Sequence, residues 1–397
     1  MKNTTRATQT REKRANSIPS HKRIDRLKAR EIVESLRLGI VPHGYIDEFT
    51  FGRDKETERV KKWLGKAEES SLVLIGEYGS GKTHFLDYIY SILLKEGWAI
   101  SYVSLDPSEL PLHRPKRIYE AILRTFRFKT RDRGFRDFLR EVAARDKGHE
   151  LDGHPYLGTV ISRIRSGIDD EYIWQWIEGK PILVGTPPMY DYSTCANIYC
   201  NILSGIGWAV KNVLELKGLV ILFDEAEVID SYWYTSYQSD KSWNFLKGLV
   251  LMANNSPHLK EERIAPFHLF PHPGRVFLGE KTGLRYPGMM RYLRYIWRAP
   301  CDIKLVLAFA PAYGVLEKAP INKMEWLGLS HLRKNYLKEI FARIVSIYEA
   351  AYRSRVEKKD ILAMIPATNT RLFIKAAVEA LDLVRFYPHD TLRNLLK

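Results

Sequence analysis

Four short apolar runs punctuate a chain that otherwise steps at helical spacing. Residues 71–75 (SLVLI), 98–105 (WAISYVSL), 219–223 (LVILF) and 303–309 (IKLVLAF) are nearly unbroken in apolar side chains, the pattern of parallel strands covered on both faces. Helices are predicted over 32–38, 57–64 and 84–94, and again over 332–352, 358–364 and 371–384, where apolar residues recur at three- and four-residue steps. The alternation predicts an α/β fold, a parallel sheet flanked by helices, followed by a small all-α C-terminal lid lobe. The long gaps between the second and third runs and between the third and fourth predict helical insertions at about 107–217 and 230–300, since structureless loops of that length are disfavoured. Within the second, the Pro-, His- and Gly-rich residues 265–288 read as irregular. The predicted organisation is a basic flexible arm (1–30), a core with helical insertions (31–325) and an all-α domain (326–397).

The uncharged stretch 192–210 raises the question of a membrane span. Asn197, Asn201, Ser193, Thr194 and Ser204 interrupt it, while Cys195, Ile198, Ile202, Ile206 and Ala209 keep helical spacing, so it reads as a core helix. Of the 397 residues, 62 are basic and 47 acidic, a net +15. Residues 1–30 hold ten Lys or Arg against Glu12 and Asp25, which concentrates +8 of the excess in the arm. Three cysteines, Cys195, Cys200 and Cys301, form no C-x-x-C pair and point to a reducing compartment. With no apolar leader in the arm, a cytoplasmic protein with no membrane contact is expected.

The sharpest signal is GEYGSGKT at 76–83, a complete G-x-x-x-x-G-K-[ST] that follows the 71–75 strand and opens a helix. Backbone N–H groups from Gly76, Glu77, Tyr78, Gly79, Ser80 and Gly81 can wrap a triphosphate such as ATP, the helix dipole adds positive potential, and Lys82 supplies an ammonium. The Thr83 hydroxyl is a ligand for Mg²⁺. A second strand ends in D-E, where Asp224 can hold the metal ion and Glu225 can activate a water. An adjacent acidic pair favours hydrolysis over transfer to a metabolite, although a helix cap would need the same residues.

With these motifs placed, the chain resembles AAA+ ATPases of the origin-recognition branch and, more narrowly, the BrxD-like P-loop ATP-binding proteins of bacteriophage-exclusion (BREX) systems. The resemblance is carried by IVESLRLGIVPHGYIDEFTFGRDKE, GEYGSGKTHFL, GLVILFDEAE and TNTRLFIKAAVEALDLV. It implies that Phe51, Gly52 and Arg53 lie near the adenine, that Arg371 is a sensor arginine reaching the γ-phosphate from the lid, and that the protein acts as a nucleotide switch in antiphage defence or another DNA-associated assembly. Two departures bear on turnover. Ala308, Phe309 and Ala310 end the fourth strand where a polar sensor residue is expected, and no arginine lies between that strand and Trp326 to act as a finger. Slow, switch-like hydrolysis, or a scaffold that holds ATP without turning it over, are the two readings this leaves.

Nucleic-acid contact has three candidate surfaces: the arm, the stretch 124–140 with seven basic residues among Phe126, Phe128, Phe135 and Phe138, and Arg291, Arg294 and Arg298 among Tyr292, Tyr295 and Trp297. In the second, the phenylalanines can equally be core and the arginines its wet face. DNA, partner proteins of a defence complex and an oligomer of unspecified order are the expected associations.

Overall fold

A computed structural model of the chain describes residues 25–180, 185–192, 194–268, 275–311, 314–353, 358–366 and 369–387. The elements run α1 (Arg26–Arg37), α2 (Asp54–Leu64), β1 (Ser71–Ile75), α3 (Lys82–Lys95), β2 (Ala99–Ser104), α4 (Pro115–Thr125), α5 (Phe135–Arg145), α6 (Leu157–Arg165), α7 (Glu171–Ile177), α8 (Ala196–Asn212), β3 (Leu219–Asp224), α9 (Ser236–Ala253), β4 (Ile264–His268), β5 (Arg275–Gly279), β6 (Arg285–Tyr286), β7 (Ile303–Phe309), β8 (Glu325–Gly328), α10 (Lys334–Tyr352), α11 (Lys358–Met364) and α12 (Thr370–Phe386).

Among the described residues the main sheet has five parallel strands in the order β2-β3-β7-β1-β8. The four apolar runs are its first four strands, and the alternation of side chains sorts them onto two faces. Val73, Ile221, Leu305 and Leu307 enter a core shared with α4, α8 and α9. Leu72, Leu74, Val220, Leu222 and Val306 pack instead on Val60, Trp63, Phe85 and Ile89 of α2 and α3. The register pairs Ile75 with Phe309 and Ser104 with Asp224, so the C-terminal ends of the strands form one edge. In open parallel sheets that edge is where ligands bind.

Helix α8 is buried almost all round rather than along one stripe. The asparagines that argued against a membrane span are its tethers: Asn197 donates to the carbonyls of Met290 and Leu293 at 2.9 and 2.8 Å, and Asn201 to that of Arg294 at 3.0 Å. No helix among the described residues is long and apolar enough to cross a membrane.

Several expectations need correction. Residues 265–288 of the second insertion, expected to be irregular, instead contribute the antiparallel sheet β4-β5-β6, anchored by Arg285 N–H on Asn244 Oδ1 at 2.8 Å. A fifth strand, β8, spans the point where the core was expected to end, pairing Leu72 with Glu325. The helical lobe is assembled from both ends of the chain. Ala29, Ile32, Val33 and Leu36 of α1, with Ile46 and Phe49 of the following 3-10 turn, share a core with Ile340, Ile344, Tyr348, Phe373 and Ala377. Asp382 joins the pieces, paired with Arg37 and accepting from the Tyr348 hydroxyl at 2.7 Å. Because α1 starts at Arg26, the last residues of the expected arm are helical, and residues 1–24 lie outside the described residues.

Candidate nucleotide site

The loop between β1 and α3 is shaped by glycines that have no room or no freedom for a side chain. Gly79 and Gly81 take φ of 79° and 92°, a left-handed region costly for other residues. At Gly76 a Cβ would stand 2.5 Å from Ser80 Oγ and 2.7 Å from the Leu329 carbonyl. The loop closes on itself through Ser80 N–H to the Glu77 carbonyl at 3.1 Å. Glu77 and Tyr78 point outward, Tyr78 being 79% exposed, so what they offer inside is backbone. Lys82 folds back over the loop, its ammonium donating to the carbonyls of Gly76 at 2.7 Å and Glu77 at 3.3 Å.

Beside the loop, β3 delivers its acids. Thr83 Oγ1 donates to Asp224 Oδ2 at 2.7 Å, and the Tyr102 hydroxyl from β2 donates to the same oxygen at 2.8 Å. Burial, and then the Asp224 carboxylate, raise the Tyr102 pKa well above that of a free phenol, so the hydroxyl stays a donor. Thr83 and Asp224 form an oxygen-only pair of the type that suits Mg²⁺, which takes one or two protein oxygens and completes its shell with phosphate and water. The residues fit that ion.

Glu225 follows in left-handed backbone at φ 55° and ψ 39°, with its N–H donating to Asp224 Oδ1 at 3.0 Å. Its side chain is turned toward solvent and its pKa is raised, by burial first and then by Asp224, Glu227 and Asp106, with Lys82 opposing. Glu227 reaches across to the end of β7 and accepts the Ala310 N–H at 3.1 Å. The tip of β7, where the sequence lacks a polar sensor, is thus tied by the Ala310 N–H to the Glu227 carboxylate of the acidic turn.

Arg53 is buried and supports the loop from behind, Nη2 donating to the Ser80 carbonyl at 2.6 Å and Nη1 to Glu56 at 3.2 Å. The adjacent Gly52, at φ 66°, lies against the Tyr336 ring of α10. The stem of Arg371 packs along Gly39, while from the same helix start Asn369 meets Gly79 of the loop. The structure therefore brings Gly76, Gly79, Lys82, Thr83 and Asp224 together in one cluster, with Glu225 next to it.

Sequence reasoning missed Tyr102, Asn369, Glu227 and Asp87. The last lies one turn beyond Thr83, with its carboxyl pushed up to about 6 by burial and also raised by Asp224, while His43 and Arg131 oppose. Only Asn369 carried a readable signal, since Asn before a helical pattern marks a cap. It caps α12, accepting from the N–H groups of Arg371 and Leu372.

Residues 24–144 match the family of BREX system ATP-binding protein BrxC/D. The BrxD-like resemblance is borne out over that segment, which carries α1, the Arg53 support and the whole P-loop. The match ends before Asp224, so the acidic half of the site stands on geometry alone. No curated protein matches the chain.

The surfaces expected to meet nucleic acid look different once folded. Phe126, Phe128, Phe135 and Phe138 are a buried ring cluster, and four of the seven cations around them pair with carboxylates: Arg136 with Glu171 and Glu178, Arg140 with Asp169, Lys129 and Arg133 with Glu141. That stretch is core and its wet face. In the third patch Tyr295 is buried and Arg298, stacked on Trp297, pairs with Glu150 at 2.6 Å.

Proposed function

We propose that this chain is an ATP-hydrolysing, AAA+-like P-loop protein that acts as a nucleotide switch in antiphage defence. The observation that carries the reading is the 2.7 Å contact between Thr83 of the P-loop and Asp224 at the end of β3, since it assembles a phosphate cradle and a metal-ligand pair from distant sequence. ATP would place its β- and γ-phosphates on the loop N–H groups, with Lys82 exchanging its two carbonyl partners for phosphate oxygens. Thr83 and Asp224 would hold Mg²⁺, which neutralises developing charge. Glu225 would orient and deprotonate the attacking water.

The helical lobe is the proposed lid. Its Asn369 already rests on Gly79, and Arg371, two residues on, is the cation proposed to meet the terminal phosphate when the lobe closes. A change in the lobe's position is then the signal read by DNA or by partner proteins of a defence complex. The basic residues 1–30 supply an electrostatic contribution to DNA contact.

Measuring ATP turnover for wild type, Lys82→Ala and Glu225→Gln, with and without DNA, tests this. Lys82→Ala should lose ATP binding, and Glu225→Gln should bind ATP with turnover reduced by at least 100-fold. A wild-type rate no higher than that of Glu225→Gln under every condition would establish the scaffold reading instead.

A further inference from the structure

A groove of about 460 Å³ runs along one face of α9, beside the acidic turn that follows Glu225. Its walls are Trp243 and Lys247 from α9, Arg285 from β6 and Lys318 from the segment after β7, with Asp240 the acid among its lining residues. Lys247 makes no ion pair among the described residues, whereas Arg285 pairs with Asp240 at 3.0 Å and Lys318 with Asp230 at 2.7 Å while lying over the Trp243 ring. Ser239 Oγ donates to Asp230 at 3.2 Å, which joins the groove wall to the base of the 231–235 loop.

That loop does something unusual for a folded protein. Tyr232 and Trp233 are 94% and 80% exposed, set edge to face with ring centroids 5.9 Å apart, and Tyr237 at the start of α9 is 54% exposed. Large aromatics that bury nothing carry a cost in solvent and mark a binding surface when clustered. The loop joins the cationic groove through Asp230, which both Ser239 and Lys318 hold. In the stretch 124–140, by contrast, the rings are buried.

We infer that this surface binds a single strand of nucleic acid, with bases stacked on Tyr232 and Trp233 and phosphates on Lys247, Arg285 and Lys318. Exposed rings offer stacking faces that paired bases cannot reach, and a cationic groove follows the sugar-phosphate chain. The inference deepens the nucleic-acid part of the function proposed above and is independent of ATP binding. It also supplies a route between the two sites. Lys318 holds Asp230, the last residue of the turn Ala226–Asp230 that begins directly after Glu225. A phosphate that engages Lys318 would compete with Asp230 for it, leaving Ser239 Oγ as a donor to that end of the turn.

The test is fluorescence anisotropy of a labelled 20-nucleotide oligo-dT with the full chain over 50–200 mM salt. Binding should weaken steeply with salt. Tyr232→Ala/Trp233→Ala should weaken it at least tenfold, and Lys247→Gln/Arg285→Gln should weaken it while flattening the salt dependence. Both double variants should keep wild-type ATP affinity by calorimetry, which separates failure here from failure of the nucleotide site. Tyr232 and Trp233 bury almost nothing, so their loss leaves folding intact. No oligo-dT binding, binding unaltered by either pair of substitutions, or equal competition by a duplex of the same length would overturn the inference. Displacement by poly-glutamate as effective as by oligo-dT would also overturn it and would identify an acidic protein segment as the ligand.

Discussion

Asn369 stands where a side chain on Gly79 would be: a Cβ built there would lie 1.8 Å from Asn369 Nδ2. One residue caps the last long helix of the helical lobe and the other is the third residue after the opening glycine of the phosphate loop. The lobe thus touches the loop at the point where a bound phosphate would change it. Gly79→Ala is expected to lower ATP affinity at least tenfold, because left-handed strain and the clash act together. Adding Asn369→Ser, which keeps a capping oxygen but shortens the side chain, should recover part of that loss. Calorimetric titration of ATP into wild type and the two variants checks this, and a double variant as weak as Gly79→Ala would assign the whole effect to backbone strain.

Tyr102 orients the carboxylate proposed to hold the metal ion. Removing its hydroxyl with Tyr102→Phe leaves Asp224 Oδ2 with Thr83 as donor and frees it to rotate. Groups that orient a ligand typically change metal affinity by 10–100-fold. The Mg²⁺ concentration for half-maximal turnover should therefore rise about tenfold, with ATP affinity in EDTA unchanged. An unaltered Mg²⁺ requirement would remove Tyr102 from the site's function.

The residues legible in the sequence were those whose role is local. SLVLI, LVILF and IKLVLAF announce buried strands by continuous apolarity, and GEYGSGKT announces its loop because glycine spacing and strand-loop-helix order are contained in one segment. β8 escaped notice because EWLG is four residues long and its Glu325 and Trp326 are only half-buried at a sheet edge. The packing of α1 into the C-terminal lobe escaped for a different reason: Asp382 and Arg37 are 345 residues apart, and local periodicity contains nothing about which helix a stripe will meet. Tyr102 reads as one more strand residue until β2 is known to lie beside β3. The phenylalanines of 124–140 show the converse, since composition alone cannot separate a stacking platform from a core.

Glu225 must be ionised to take a proton, and its pKa is raised by burial and by Asp224, Glu227 and Asp106. A raised value moves the protonated, inactive form to higher pH. The acid limb of the rate profile should therefore lie above the ordinary glutamate value of about 4.3. Glu227→Gln removes one of the like charges, so the limb should shift toward lower pH. Turnover measured between pH 4.5 and 8 at saturating ATP checks the direction, and a shift to higher pH would show that Glu225 does not control the limb.

Lys241 is fully buried in α9, and among the described residues its ammonium has no hydrogen-bond acceptor and lies over the face of the Tyr237 ring at 4.9 Å. Burial pulls its pKa down to about 8, Arg285 adds to the fall and Asp240 opposes it. Because the folded value lies below that of the unfolded chain, the unfolded chain holds more protons between about pH 8 and 10.5. Stability should rise with pH across that window and carry the full penalty below it. Lys241→Met fills similar volume without the charge and should stabilise the protein at pH 7 by about 1–3 kcal/mol, a gain that shrinks toward pH 10. Urea denaturation at the two pH values measures both. A variant less stable than wild type at pH 7 would mean that the contact with Tyr237, typically worth about 0.5–2 kcal/mol, outweighs the desolvation of the ammonium.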